Sequence, residues 1–142
     1  ITIFPWIAVI DKFPHWIYEN PNHSIEERTE NWMKVVDEFS DGVIDYSGLR
    51  KYVENMWQKQ LHLFEVPFYY IEYGIAQLGA IGLWMQYKKN PEQALDNYMK
   101  ALSLGATKTL PELYKAAGLK FDFSSENIKA LMEFVNEEMG KL

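Results

Sequence analysis

An all-α fold is predicted by three features of this sequence. Apolar side chains recur at helical spacing in nearly every segment, the punctuation between segments is of the helix-capping kind, and no internal repeat, low-complexity tract or flexible linker interrupts the pattern. With 142 residues, 48% hydrophobic and 15% aromatic, the chain has enough apolar material for one compact unit over residues 1–142. About six to seven helices are expected.

Pro5 suits the first turn of a helix running to about Asn20, with Pro14 kinking it or splitting it. Asn20-Pro21-Asn22 reads as a turn. Ser24 and Glu27 form a capping box for a second helix, whose stripe of Trp32, Val35, Val36 and Phe39 stops at Ser40-Asp41-Gly42. A third helix is predicted from Tyr46 or Ser47 through Leu49, Val53, Met56, Trp57 and Gln60 towards His62. Pro67 should start a fourth, with a kink or short break between Phe64 and Pro67, because a proline drives the preceding residue out of helical geometry. The run from Tyr73 to Tyr87 carries no charge and is too short to span a bilayer, so it reads as a buried core helix. Its glycines, Gly74, Gly79 and Gly82, would admit close helix approach. Asn90-Pro91-Glu92 opens the next helix, closed by Gly105; Thr109 opens a short one ending at Gly118; Ser124 and Ser125 cap the last, with Ile128, Leu131, Met132, Val135 and Met139 on one face.

The formal net charge of -6 argues against nucleic acid or an anionic membrane as partner, since both reward clustered Lys and Arg. The absence of cysteine removes disulfides and thiolate chemistry and fits a reducing compartment; a cytoplasmic location is the expectation. ITIFPWIAVI is apolar but has neither a basic lead nor a cleavage pattern, so it does not read as a signal peptide. A chain opening on ITIFPW without methionine is expected to be a processed product or a piece of a longer protein.

The three histidines lie far apart and none belongs to an H-E-x-x-H pair, so no metal site is expected within this chain. His62 and Glu65 could share a helix face, as in a carboxylate metal motif, but a hydrogen-bonded or exposed pair is the favoured reading. His15, in FPHWIY, reads as a satisfied histidine in or near the core, and His23 as a surface turn residue. No serine has a nucleophile-elbow setting and no glycine-rich phosphate loop occurs. The tyrosines are the unusual feature. On a helix starting at Pro67, Tyr73 lies four residues from Tyr69 and three from Tyr70, so their hydroxyls can converge. Phenols are neutral donors near neutral pH and can hydrogen-bond an oxyanion in a water-poor cleft; plain packing of the rings is the competing reading, and the residues alone leave both open.

QLHLFEVPFYYIEYGIAQLGAIGLW resembles the C-terminal helical segment of the oligoendopeptidase F and thimet oligopeptidase family of zinc metallopeptidases, where a histidine precedes a tyrosine-rich helix lining the active-site cleft. PWIAVIDKFPHWIYENPNHSIEERTENW looks like the segment after that family's zinc-binding helices, and NPEQALDNYMKALSLGATKTLPELYKAAGL like its closing helices, so the resemblance covers essentially the whole chain. It implies a compact all-α C-terminal portion of a zincin-type oligopeptidase. In that family zinc is held by the two histidines of H-E-x-x-H and a later glutamate, none of which occurs here. The resemblance therefore implies that this chain is part of a longer peptidase, with the missing N-terminal part as its partner, short peptides as substrates and zinc bound outside this chain; alone it should cleave nothing. Carried over by position, the family's histidine falls on His62 and its two final cleft tyrosines on Tyr70 and Tyr73, as donors to the oxyanion or the substrate backbone. Tyr69 is expected to be either a further substrate contact or simply part of the core. The His62-to-Tyr73 spacing departs by one residue from the family pattern, and an earlier tyrosine has no counterpart around Val66-Pro67. A non-catalytic helical interaction module is the rival reading.

Overall fold

The computed structural model describes every residue except Asp41. Among the described residues the chain is helical without strands, with eight α-helices, six of them of seven residues or more. They are α1 (Ile3–Glu19), α2 (Ile25–Glu38), α3 (Arg50–Val53), α4 (His62–Glu65), α5 (Ile71–Lys89), α6 (Pro91–Ser103), α7 (Leu110–Ala116) and α8 (Ser125–Met139). The residues form two compact units, Ile1–Gly74 and Ile75–Leu142, with α5 running from the first into the second.

The first unit is built on α1 and α2. α1 continues through Pro14, with no break into two helices. Ser24 caps α2 as expected: its hydroxyl accepts from the Glu27 N–H at 3.1 Å, and the Glu27 carboxylate accepts from the Ser24 N–H at 2.7 Å. α2 ends at Glu38; of the predicted stop at Ser40-Asp41-Gly42, Asp41 lies outside the described residues. Val9, Ile10 and Phe13 of α1 join Trp32, Val35 and Val36 of α2 and Val53 in one core. Trp32 is fully buried, meets the Phe13 ring edge-on at 5.0 Å, and donates its indole N–H to the Val53 carbonyl at 2.8 Å.

The third helix predicted from Tyr46 to His62 is not continuous. The segment divides into α3, a 3-10 turn over Met56–Lys59, and α4. The interruption has a use, because Val53 ends α3 and its carbonyl has no following turn to bond, which frees it for Trp32. The fourth helix also starts later than Pro67. The Tyr69 N–H bonds the Val66 carbonyl at 3.2 Å, with Pro67 second in the turn and Phe68 third at φ 64°, the type II pattern of proline followed by positive φ. α5 begins only at Ile71, and the Tyr69 and Tyr70 carbonyls accept from the N–H groups of Glu72 and Tyr73.

In the second unit, Ile81 of α5, Ala94 of α6, Ala117, and Leu131 and Val135 of α8 are buried. Asn90 caps α6 and Ser124 caps α8 through side-chain oxygens, as predicted. α5 is less buried than expected: Ile81 and Gly82 are buried, but Ala76, Gln77, Ala80, Trp84 and Tyr87 are exposed. Its glycines do admit close neighbours. A Cβ on Gly79 would lie 2.6 Å from the Tyr114 hydroxyl, which donates to the Ile75 carbonyl at 2.7 Å. No helix among the described residues is long and apolar enough to cross a membrane.

Three carboxylates of this unit are held below their ordinary pKa by hydrogen bonds. Glu112 accepts from the backbone N–H and then the hydroxyl of Thr109, Asp122 from the N–H and then the hydroxyl of Ser124, and Glu138 from Lys141 and then Lys88. A carboxyl depressed in the folded state stabilises above its unfolded pKa, and that contribution is lost as pH falls through the folded value. Thermal unfolding followed between about pH 5 and pH 2 should therefore show falling Tm, and Glu112→Gln, which cannot gain charge, should flatten that slope. Gly79→Ala forces the Tyr114 ring off its Ile75 bond and should cost about 1–3 kcal/mol in urea unfolding, as overpacking does.

Candidate functional site

His62, Tyr69, Tyr70 and Tyr73, spread over twelve residues of sequence, meet around one imidazole. His62 opens the single turn of α4, a type II turn reverses the chain, Tyr69 and Tyr70 precede α5, and Tyr73 lies in its first turn. Tyr70 and Tyr73 face the His62 ring edge-on, at 4.9 and 5.6 Å between centroids, while the Tyr69 ring lies nearly parallel at 6.5 Å. Tyr73 also contacts Tyr70 at 5.0 Å and Tyr69 at 6.2 Å. His62 Nε2 is 3.1 Å from the Tyr73 hydroxyl oxygen.

The arrangement differs from the one expected of a single helix. Only Tyr73 sits on α5, and Tyr69 and Tyr70 reach it through their positions at the end of the turn. The burial of the rings is graded. Tyr70 is half-buried against the Trp32 core, whereas Tyr69 is 51% and Tyr73 41% exposed. The group thus forms an open wall backed by packed aromatics, with Tyr69 and Tyr73 on its exposed side.

Two residues missing from the sequence-based set stand behind His62. The Gln60 side-chain nitrogen is 2.8 Å from His62 Nδ1, and the Trp6 indole N–H donates to Gln60 Oε1 at 3.4 Å. Gln60 ends the 3-10 turn and Trp6 lies on α1 fifty-four positions earlier, so no local pattern linked them. Phe68 supports the turn, its ring lying 4.8 Å from His15 and 5.1 Å from Tyr18.

The other histidines take surface positions. His15 is not a core residue: its side chain is 57% exposed, with Nε2 3.6 Å from an Asp11 carboxylate oxygen. His23 lies in the turn as expected, with Nδ1 2.6 Å from the Asn20 carbonyl and its ring against Trp16. Among the described residues no group of three or more His, Asp or Glu side chains could hold a metal ion, so the described residues do not by themselves fit a zinc centre. The second unit has a groove of about 330 Å³ between α5 and the segment that includes Tyr114, Leu119 and Leu131, and none of the four His and Tyr residues lines it.

Two solved structures share this fold. An X-ray structure assigned to oligoendopeptidase F superimposes with a TM-score of 0.84 at 26% identity, covering 99% of this chain and 25% of that one. PZ peptidase A with an inhibitor gives a TM-score of 0.83 at 28% identity, again over 99% of this chain and 25% of its own. The chain thus spans about a quarter of the length of each structure it matches. Comparison with curated protein sequences returns no match. The sequence profile of peptidase family M3 matches residues 2–133, a span that includes the whole His and Tyr wall, and the chain belongs to that family.

Proposed function

We propose that this chain supplies the His/Tyr wall of the substrate cleft in a zinc-dependent oligoendopeptidase that hydrolyses internal bonds of short peptides. The observation that carries the reading is the convergence of His62, Tyr70 and Tyr73, with Tyr73 41% exposed. A peptide bond attacked by water develops negative charge on its carbonyl oxygen, and a fixed donor aimed at that oxygen stabilises the transition state more than the ground state. Tyr73 is the donor best suited to this, because the residue is 41% exposed while its ring is held by Tyr69, Tyr70 and His62. Tyr70 stands beside it as a second donor, and Tyr69, the most exposed of the three, would meet the substrate backbone.

The zinc of such an enzyme would be held by residues outside this chain, and this chain alone would then be inactive. The missing N-terminal part of the same peptidase would be its partner, and the cytoplasm its expected setting. The parent open reading frame should accordingly encode H-E-x-x-H and a later glutamate upstream of Ile1; a frame beginning near Ile1 would remove the peptidase reading of this chain.

In the complete enzyme, Tyr73→Phe deletes the hydroxyl and keeps the ring. It should lower kcat on the order of a hundredfold with little change in KM, the pattern of an interaction made mainly in the transition state. Steady-state cleavage of a quenched fluorescent peptide measures both constants, and an unchanged kcat would sink the donor role.

A further inference from the structure

We infer that Trp6 and Gln60 fix the tautomer of His62 so that His62 donates to Tyr73 and the Tyr73 hydroxyl proton stays free to point outward. The inference rests on the proposed role of Tyr73 and names the residues that would set that role up.

The chain of reasoning begins at Trp6. An indole N–H is a donor only, so the Gln60 atom it faces at 3.4 Å must be the carbonyl oxygen. That choice turns the NH₂ end of the Gln60 amide to His62, where it meets Nδ1 at 2.8 Å. An amide NH₂ only donates, so Nδ1 must present its lone pair, and a neutral imidazole then carries its hydrogen on Nε2. Nε2 is the nitrogen 3.1 Å from the Tyr73 oxygen, and Nε2–H therefore donates into that oxygen.

The direction of this last bond decides what Tyr73 can do. With the opposite tautomer, Nε2 would accept the phenol proton and Tyr73 would offer substrate only an acceptor. With Nε2–H donating, the phenol proton is released from the imidazole, and Tyr73 is 41% exposed, so its O–H can be offered to a bound carbonyl oxygen. A donor feeding the phenol oxygen also polarises its O–H, as successive hydrogen bonds reinforce one another. His62 acts through Tyr73 because its Nε2–H is committed to that oxygen and Nδ1 is held by Gln60. Trp6, Gln60 and His62 are thus positioning residues behind one donor.

Gln60→Glu tests this with almost no change of shape. A carboxylate can still accept from Trp6, but it must also accept from His62, which moves the imidazole hydrogen to Nδ1 and lets Nε2 capture the Tyr73 proton. Nitrogen-15 NMR of the three histidines in this chain, at a pH where the imidazole is neutral, should report Nε2–H for His62 in the parent and Nδ1–H in Gln60→Glu. In the complete enzyme Gln60→Glu should lower kcat on the order of a hundredfold while KM changes little, and it should add no further loss to Tyr73→Phe, since both remove the same donor. A merely structural effect of the substitution would add to Tyr73→Phe and would leave the tautomer in place. Finding Nδ1–H in the parent, or Nε2–H retained in Gln60→Glu, overturns the relay. A switched tautomer with unchanged kcat leaves the relay standing and overturns the donor role of Tyr73.

Discussion

The first unit depends on one buried hydrogen bond, from the Trp32 indole to the Val53 carbonyl. Trp32 is fully enclosed, and a buried indole N–H without an acceptor costs roughly 1–3 kcal/mol, so its packing is tolerable only where a carbonyl is free. An unbroken helix has none to give in its interior, because each carbonyl already accepts from the residue four positions on. The end of a helix does. The break after Val53 therefore supplies the acceptor that the core requires, and the chain continues into the 3-10 turn and Gln60. Trp6, which meets Trp32 edge-on at 6.1 Å, reaches Gln60 with its own N–H. The same tryptophans that close the core thus set the backing of His62.

A second constraint acts where the chain reverses. Phe68 holds a φ of 64°, a left-handed conformation that a bulky residue adopts at a cost of order 1–3 kcal/mol. Its ring lies against His15 and Tyr18, both on α1, and those contacts offset part of the strain. Without the reversal, Tyr69 and Tyr70 would continue into α5 rather than precede it. Their rings would then follow helical spacing, with no reason to gather around His62.

These two constraints mark where sequence reading succeeded and where it stopped. The caps at Ser24, Asn90 and Ser124 were legible because a cap is chemistry between residues three apart, complete in the local sequence. The all-helical fold was legible for a similar reason, from short-range apolar spacing. The segment from Tyr46 to His62 misled because Leu49, Val53, Met56 and Trp57 keep helical spacing, while the demand that broke the helix comes from Trp32, which lies in α2. Pro67 misled because proline suits the first turn of a helix and the second position of a turn alike. His15 was expected near the core from its apolar neighbours Phe13, Pro14, Trp16 and Ile17, but it occupies the outward side of α1. The four residues of the wall stood out as a dense run of tyrosines after a histidine, whereas Gln60 and Trp6 became visible only in three dimensions.

The proposed donor role also accounts for tyrosines that are held by packing more than by hydrogen bonds. A donor for a transient oxyanion must keep its ring still and its hydroxyl proton unengaged, and these demands conflict if donation of that proton to protein is what fixes the side chain. Here the rings fix one another: Tyr73 touches Tyr69, Tyr70 and His62, and Tyr70 is backed in turn by the Trp32 core. The hydrogen bond between His62 and Tyr73 joins two groups already confined by ring contacts. Its direction can then serve chemistry without being needed to hold the side chain. In the proposed relay that direction is set from behind, by an amide that a tryptophan orients, so the polarity of the proposed donor would be fixed by residues that need never touch the substrate.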